Sequence, residues 1–165
     1  YVVHINQIRY IISQRRNYQM SISKKEYKYW DMDIVQIGRK IKGELVKEFP
    51  AIKFTVKTKR NQSRVDVRIH QIHRKYLKDR GTFLHDLKKT NVYMTDKEYK
   101  QALAQFDYTD YVVSLAVKDE VWNRILQIYD KYNYFNNDLD HDIVDQRYYG
   151  GVQLDWGCRA IGEVD

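Results

Sequence analysis

Between residues 34 and 49, apolar side chains return at three- and four-residue steps: Ile34, Ile37, Ile41, Leu45, Val46 and Phe49. That spacing predicts an amphipathic helix, because side chains three and four apart share one helix face. Asp31 or Asp33 stands ready as its N-cap and Pro50 as its stop, since a capping carboxylate accepts from the free N–H groups of the first turn. The outward face carries Arg39, Lys40, Lys42 and Lys47 against Glu44 and Glu48. Beyond the proline the period drops to two. Residues 52–58 and 64–70 each alternate apolar with polar, as half-buried strands do. The polar stretch 59–63 between them predicts a hairpin of antiparallel neighbours. On it Lys53, Thr55 and Lys57 share a face with Asp66, or with Arg64, Arg68 and His70, according to register.

The rest of the chain is patterned less evenly. Residues 1–22 alternate loosely around Val3, Ile5, Ile8, Tyr10 and Ile12, and suit strand or helix. Residues 72–90 read as a helix interrupted at Gly81, rich in cations at Arg74, Lys75, Lys78, Arg80, Lys88 and Lys89. A further helix is expected from Thr95 or Asp96 to Phe106, then a strand over 108–117 with Val113, Leu115 and Val117 on one face. The strongest helical period follows Asp119 or Glu120: Val121, Trp122, Ile125, Leu126, Ile128, Tyr129 and Tyr132. Residues 143–156 read as a strand pair bent at Gly150-Gly151. These elements predict an α+β fold, an antiparallel sheet with helices packed mainly on one face. Contiguous strand pairs argue against a doubly wound parallel sheet.

The chain has 165 residues, 43% of them apolar, enough to bury a sizeable core in a single domain over 1–165. One proline and seven glycines leave no stretch that resembles a linker. No run of about 18 apolar residues exists to cross a bilayer. The opening Tyr1-Val2-Val3-His4 lacks both the layout of a signal peptide and an initiator methionine, so a chain beginning further upstream is expected. The lone Cys158 has no internal disulfide partner, which fits a reducing compartment, and a soluble cytoplasmic protein is expected.

The helix, the first strand and part of the second carry a family likeness. The run Ile37-Gly38-Arg39-Lys40-Ile41-Lys42-Gly43-Glu44-Leu45-Val46-Lys47-Glu48-Phe49-Pro50-Ala51-Ile52-Lys53-Phe54-Thr55-Val56-Lys57-Thr58, followed by Ser63-Arg64-Val65-Asp66-Val67, resembles the helix, "FPG-x-KFSV" strand and "S-x-DV" strand of a large polyvalent protein-associated domain. The likeness covers residues 34–70, with Ala51 where glycine is usual and Thr55 where serine is usual. It implies a phage or plasmid origin, hence a host-cell cytoplasm, and a non-enzymatic accessory role. Its motif is a packing pattern, so it assigns no functional residue.

Charge adds a direction. Residues 1–100 hold 24 Lys or Arg against 10 Asp or Glu, net +14, and residues 101–165 hold 5 against 12, net −7. A basic region captures polyanions and an acidic one repels them. The expected contacts are Arg15, Arg16, Lys24, Lys25, Lys57, Lys59, Arg60, Arg64, Arg74 and Lys75, joined by Tyr27, Tyr29 and Trp30. In this last segment cations interleave with aromatics, the combination that holds phosphates and stacked bases. The expected partner is nucleic acid or a host nucleoprotein defence complex, engaged by a mobile-element inhibitor of the anti-restriction or anti-CRISPR kind. A protein-interaction module built on the same aromatics is the alternative.

Catalytic and metal motifs are incomplete. Asp138, Asp140 and Asp142 alternate like the start of a calcium loop, but Ile143 and Tyr149 stand where its glycine and closing glutamate belong. A metal-dependent nuclease using 138–142 is the enzymatic alternative. His70 and His73 have a separation open to metal ligands on a turn, yet too few companions for zinc. Cys158 lacks the flanking signature of a nucleophile, and no phosphate-binding glycine loop occurs. Neither enzyme activity nor a cofactor or metal is expected.

Overall fold

The computed structural model describes residues 27–90, 114–138 and 143–162, with positions 95, 97 and 100 besides. The expectations for residues 1–22, for Arg15, Arg16, Lys24 and Lys25, for the strand at 108–113 and for most of the helix at 95–106 lie outside them.

Helix α1 spans Ile34–Glu48, and Asp33 caps it. The Asp33 carboxylate accepts from the Gln36 N–H at 2.8 Å while the Gln36 side chain accepts from the Asp33 N–H at 2.8 Å, a reciprocal box that satisfies two end donors. Ile34, Ile37, Ile41 and Leu45 are buried along one stripe, each stabilising by about 1.5–3 kcal/mol. Gly38 sits where this stripe meets strand β1 (Ile52–Lys59): a Cβ there would lie 2.5 Å from Thr58 Cγ2.

Strand β1 pairs antiparallel with β2 (Arg64–His73), in register Lys57 with Asp66 and Thr55 with Arg68. The connection is a short helical turn, Arg60–Gln62, closed by Ser63 at φ 43°. Lys53, Thr55, Lys57, Arg64, Asp66, Arg68 and His70 thus all occupy one face, so both register alternatives collapse into a single arrangement.

Three expectations are corrected beyond this hairpin. Ile72 and His73 end β2 rather than start a helix, which begins only at Arg80 (α2, Arg80–Thr90) with Asp79 accepting from the Thr82 N–H at 3.0 Å as its cap. Gly81 therefore lies in the first turn and interrupts nothing. Residues Ser114–Ala116 form a helical turn rather than a strand, and only Val117 keeps a bridge, to Leu77. The last strand joins the sheet in parallel rather than antiparallel fashion. After α3 (Asp119–Asp130) and a small antiparallel hairpin of β3 (Phe135–Asp138) and β4 (Ile143–Gln146), β5 (Tyr149–Ile161) runs parallel to β2. Parallel neighbours need a long crossover, and α2 and α3 lie within this one. The sheet order is β1-β2-β5. At its entry Gly150 adopts φ 123°, and a Cβ there would lie 1.9 Å from the Val65 carbonyl oxygen, so only glycine fits.

The fold is α+β, with a mostly antiparallel arrangement and one parallel pair. The core lies on the helix side of the sheet, where Ile52, Phe54, Val65, Val67, Ile69 and Val152 meet α1, α2 and α3. Arg124 of α3 holds Glu48 of α1 at 2.5 and 3.0 Å, and Lys131 holds Glu44 at 2.7 Å. Several tyrosines complete this core by hydrogen-bonding backbone carbonyls: Tyr27 to Tyr132 and Tyr129 to Val65 at 2.9 Å each, and Tyr148 to Tyr129. A buried phenol needs such an acceptor. Among the described residues no helix is long and apolar enough to cross a membrane.

Candidate functional site

Polar side chains collect on the sheet face opposite α1, against which no described helix packs. Alternation places Lys53, Thr55, Lys57 and Lys59 of β1, Arg64, Asp66, Arg68 and His70 of β2, and Tyr149, Gln153, Asp155 and Arg159 of β5 on it. Six cations there face two carboxylates. Asp66 accepts from Arg64 Nε at 2.7 Å, and Asp155 lies 3.8 Å from Arg68 Nη1. Lys53, Lys57 and Lys59 form no ion pair among the described residues. Lysines on an edge strand deter strand addition, and together with the arginines they give this face a positive field.

At the centre of the face, each strand contributes one member of a hydrogen-bonded chain. His70 Nδ1 is 2.8 Å from Asp155 Oδ2, and His70 Nε2 is 2.8 Å from Thr55 Oγ1. A carboxylate only accepts, so Nδ1 carries the ring proton, and in the neutral ring Nε2 accepts from the threonine hydroxyl. The backbone is irregular at this point in both pairings. Opposite β1, His70 is an extra residue between the Ile69–Phe54 and Gln71–Lys53 pairs. Opposite β5, His70 alone faces residues 155–158. Bulges of this kind re-aim side chains, and Trp156, within the unpaired stretch of β5 opposite His70, is 88% exposed. Arg68 Nε, buried nearby, has no hydrogen-bond partner among the described residues.

The sequence-predicted residues do not form one surface. Lys57, Lys59, Arg60 and Arg64 gather at the turn between β1 and β2, where Arg60 also reaches Asp33 at 3.2 Å. Arg74 and Lys75 follow the far end of β2, about 33 Å away at about 3.3 Å per residue, and Lys75 lies over the Tyr76 ring at 5.0 Å. Tyr27 is a correction, since it is buried rather than presented to a partner, its hydroxyl spent on Tyr132 and its ring on Tyr134 at 5.1 Å. Tyr29 is half-buried against Tyr132 at 4.7 Å. Trp30 stays 47% exposed, its ring tilted against that of Tyr134 at 5.3 Å.

Other chemistry is narrowed. His70 and His73 lie on a strand rather than a turn, and His73 Nδ1 accepts from the Lys75 N–H at 3.2 Å. Burial, helped by the Asp155 charge, pushes the Cys158 thiol up to about 11, so it stays protonated and a poor nucleophile near neutral pH. Asp138 closes β3, and 139–142 lie outside the described residues. Sequence reasoning missed Lys53, Thr55, Arg68, His70, Tyr149, Asp155, Trp156 and Arg159 as members of one site. The strict alternation of β1 and β2 was the available signal for the first four. Comparison with known proteins finds no matching family model, no matching curated protein and no matching solved structure.

Proposed function

We propose that the protein binds nucleic acid, single strands in particular, across the polar face of its sheet. The observation that carries this reading is the row Lys53, Lys57 and Lys59 beside Arg64, Arg68 and Arg159 on one face. Cations so arrayed neutralise successive phosphates and release their counterions. Tyr149, 50% exposed on this face, and Trp156, 88% exposed in the irregular stretch of β5 at the same level, supply ring faces on which unpaired bases stack. The likeness over residues 34–70 supports a phage or plasmid accessory role, in which the protein occupies nucleic acid or a host defence nucleoprotein complex and blocks it by steric and electrostatic fit.

Fluorescence anisotropy with a labelled single-stranded oligonucleotide at 50 and 200 mM salt tests the reading. Affinity is expected to fall steeply with salt. Replacing Lys53, Lys57 and Lys59 by Ala lowers the slope of log K against log salt by about 2, at about 0.7 per phosphate contact. No binding at low salt, or an unchanged slope in the triple variant, refutes it.

A further inference from the structure

We propose that Thr55, His70 and Asp155 constitute a nucleophilic hydrolytic centre for acyl esters or thioesters borne on phosphate-carrying molecules. The phosphate half of this substrate class rests on the binding reading above, whereas the acyl half rests on the hydrogen-bonded chain alone. Nucleophilic catalysis requires a hydroxyl within reach of a base and a third group that orients the base. Here both distances are 2.8 Å, in the order hydroxyl, Nε2, Nδ1, carboxylate. That order gives the one neutral tautomer whose Nε2 can accept the hydroxyl proton. The His70 and Asp155 side chains are 31% and 33% exposed, so substrate reaches them from solvent.

Two further features separate this arrangement from an ordinary polar row on a sheet. Both pairings of β2 lose register at His70, so the imidazole is aimed by bulges on either side. Arg68 stands directly across from Thr55 in the β1–β2 register on the same face, so its guanidinium brings positive charge to the side of the nucleophile where an oxyanion develops.

In the first step, Thr55 Oγ1 bonds to the substrate carbonyl carbon while His70 Nε2 takes the hydroxyl proton. The tetrahedral adduct collapses, the bond from carbon to the leaving oxygen or sulfur breaks, and His70 gives its proton to that atom. Water then attacks the acyl-threonine carbonyl with His70 as base. The bond from carbon to Oγ1 breaks, the acid departs and the proton returns to Thr55. Asp155 is a positioning residue throughout, holding the tautomer.

The probe is p-nitrophenyl acetate, which carries no phosphate and therefore reads the centre independently of nucleic-acid binding. The native chain is expected to release a burst of one p-nitrophenolate per chain, with an acetyl group on the Thr55 peptide by mass spectrometry. Thr55→Val keeps the shape, removes the hydroxyl and abolishes the burst, while Thr55→Ser retains it. Asp155→Asn slows it about 10²- to 10⁴-fold and shifts its pH dependence, which a merely structural carboxylate would leave in place. Absence of a burst, acetylation confined to lysines, or an equal burst from Thr55→Val overturns the proposal. Loss of nucleic-acid binding by the native chain with the burst intact overturns the binding reading instead.

Discussion

Asp130 is the last residue of α3, where a negative charge meets the negative end of the helix dipole. Burial raises its carboxyl from the ordinary 3.8 to about 6. Between these values the folded chain keeps a proton that the unfolded chain has lost. The group's contribution to stability is therefore complete below about pH 3.8 and is lost as pH rises through 6. The shift corresponds to a penalty of up to about 3 kcal/mol at neutral pH, at about 1.4 kcal/mol per unit. Asp130→Asn has nearly the same shape and no charge to desolvate. Urea denaturation of both chains at several pH values isolates the effect, because every other titrating group is common to the pair. The Asn chain is expected to be more stable by up to about 3 kcal/mol at pH 7.5, equivalent to about 6–12 °C in Tm for a chain of this length. The advantage shrinks through pH 6 and vanishes below pH 4. A difference that does not vary with pH, or a loss of stability at pH 7.5, refutes the reasoning.

Gly38→Ala gains about 1 kcal/mol of helix propensity but drives a Cβ to 2.5 Å from Thr58 Cγ2, so thermal denaturation should show a net loss of about 1–2 kcal/mol. In a Thr58→Ala background the same change should turn stabilising. Lys78 is buried with its ammonium 2.6 Å from Asp86 and 3.0 Å from Asp119; Lys78→Met should cost about 3 kcal/mol by urea denaturation at pH 7, because it leaves the partly buried carboxylates without their cation. Trp156→Ala should weaken single-strand binding by about 1–3 kcal/mol in anisotropy titrations while leaving Tm unchanged, because an 88% exposed side chain contributes little packing.

What was legible along the chain follows from local physics. The cap, extent and buried stripe of α1, the hairpin of β1 and β2, and the apolar face of α3 all appear as periods, because each residue's exposure repeats with the geometry of its own element. Tyr132 kept its burial even though it lies just past the helix that its spacing suggested. The aromatic segment at Tyr27, Tyr29 and Trp30 misled for a related reason. Composition shows that phenols are present, but whether a hydroxyl finds a carbonyl in the core depends on residues about a hundred positions away, as Tyr27 and Tyr132 demonstrate.

The candidate site belongs to the second category almost entirely. Thr55, His70 and Asp155 lie 15 and 85 positions apart, and no local pattern relates them. They meet because β5 returns through a long crossover to lie parallel with β2, an insertion that depends on Gly150 letting the backbone approach Val65. Periodicity fixes which side of a strand faces water, and the sequence carries that by itself. Which strands become neighbours, in what direction and with which bulges, is decided by the packing of the whole chain.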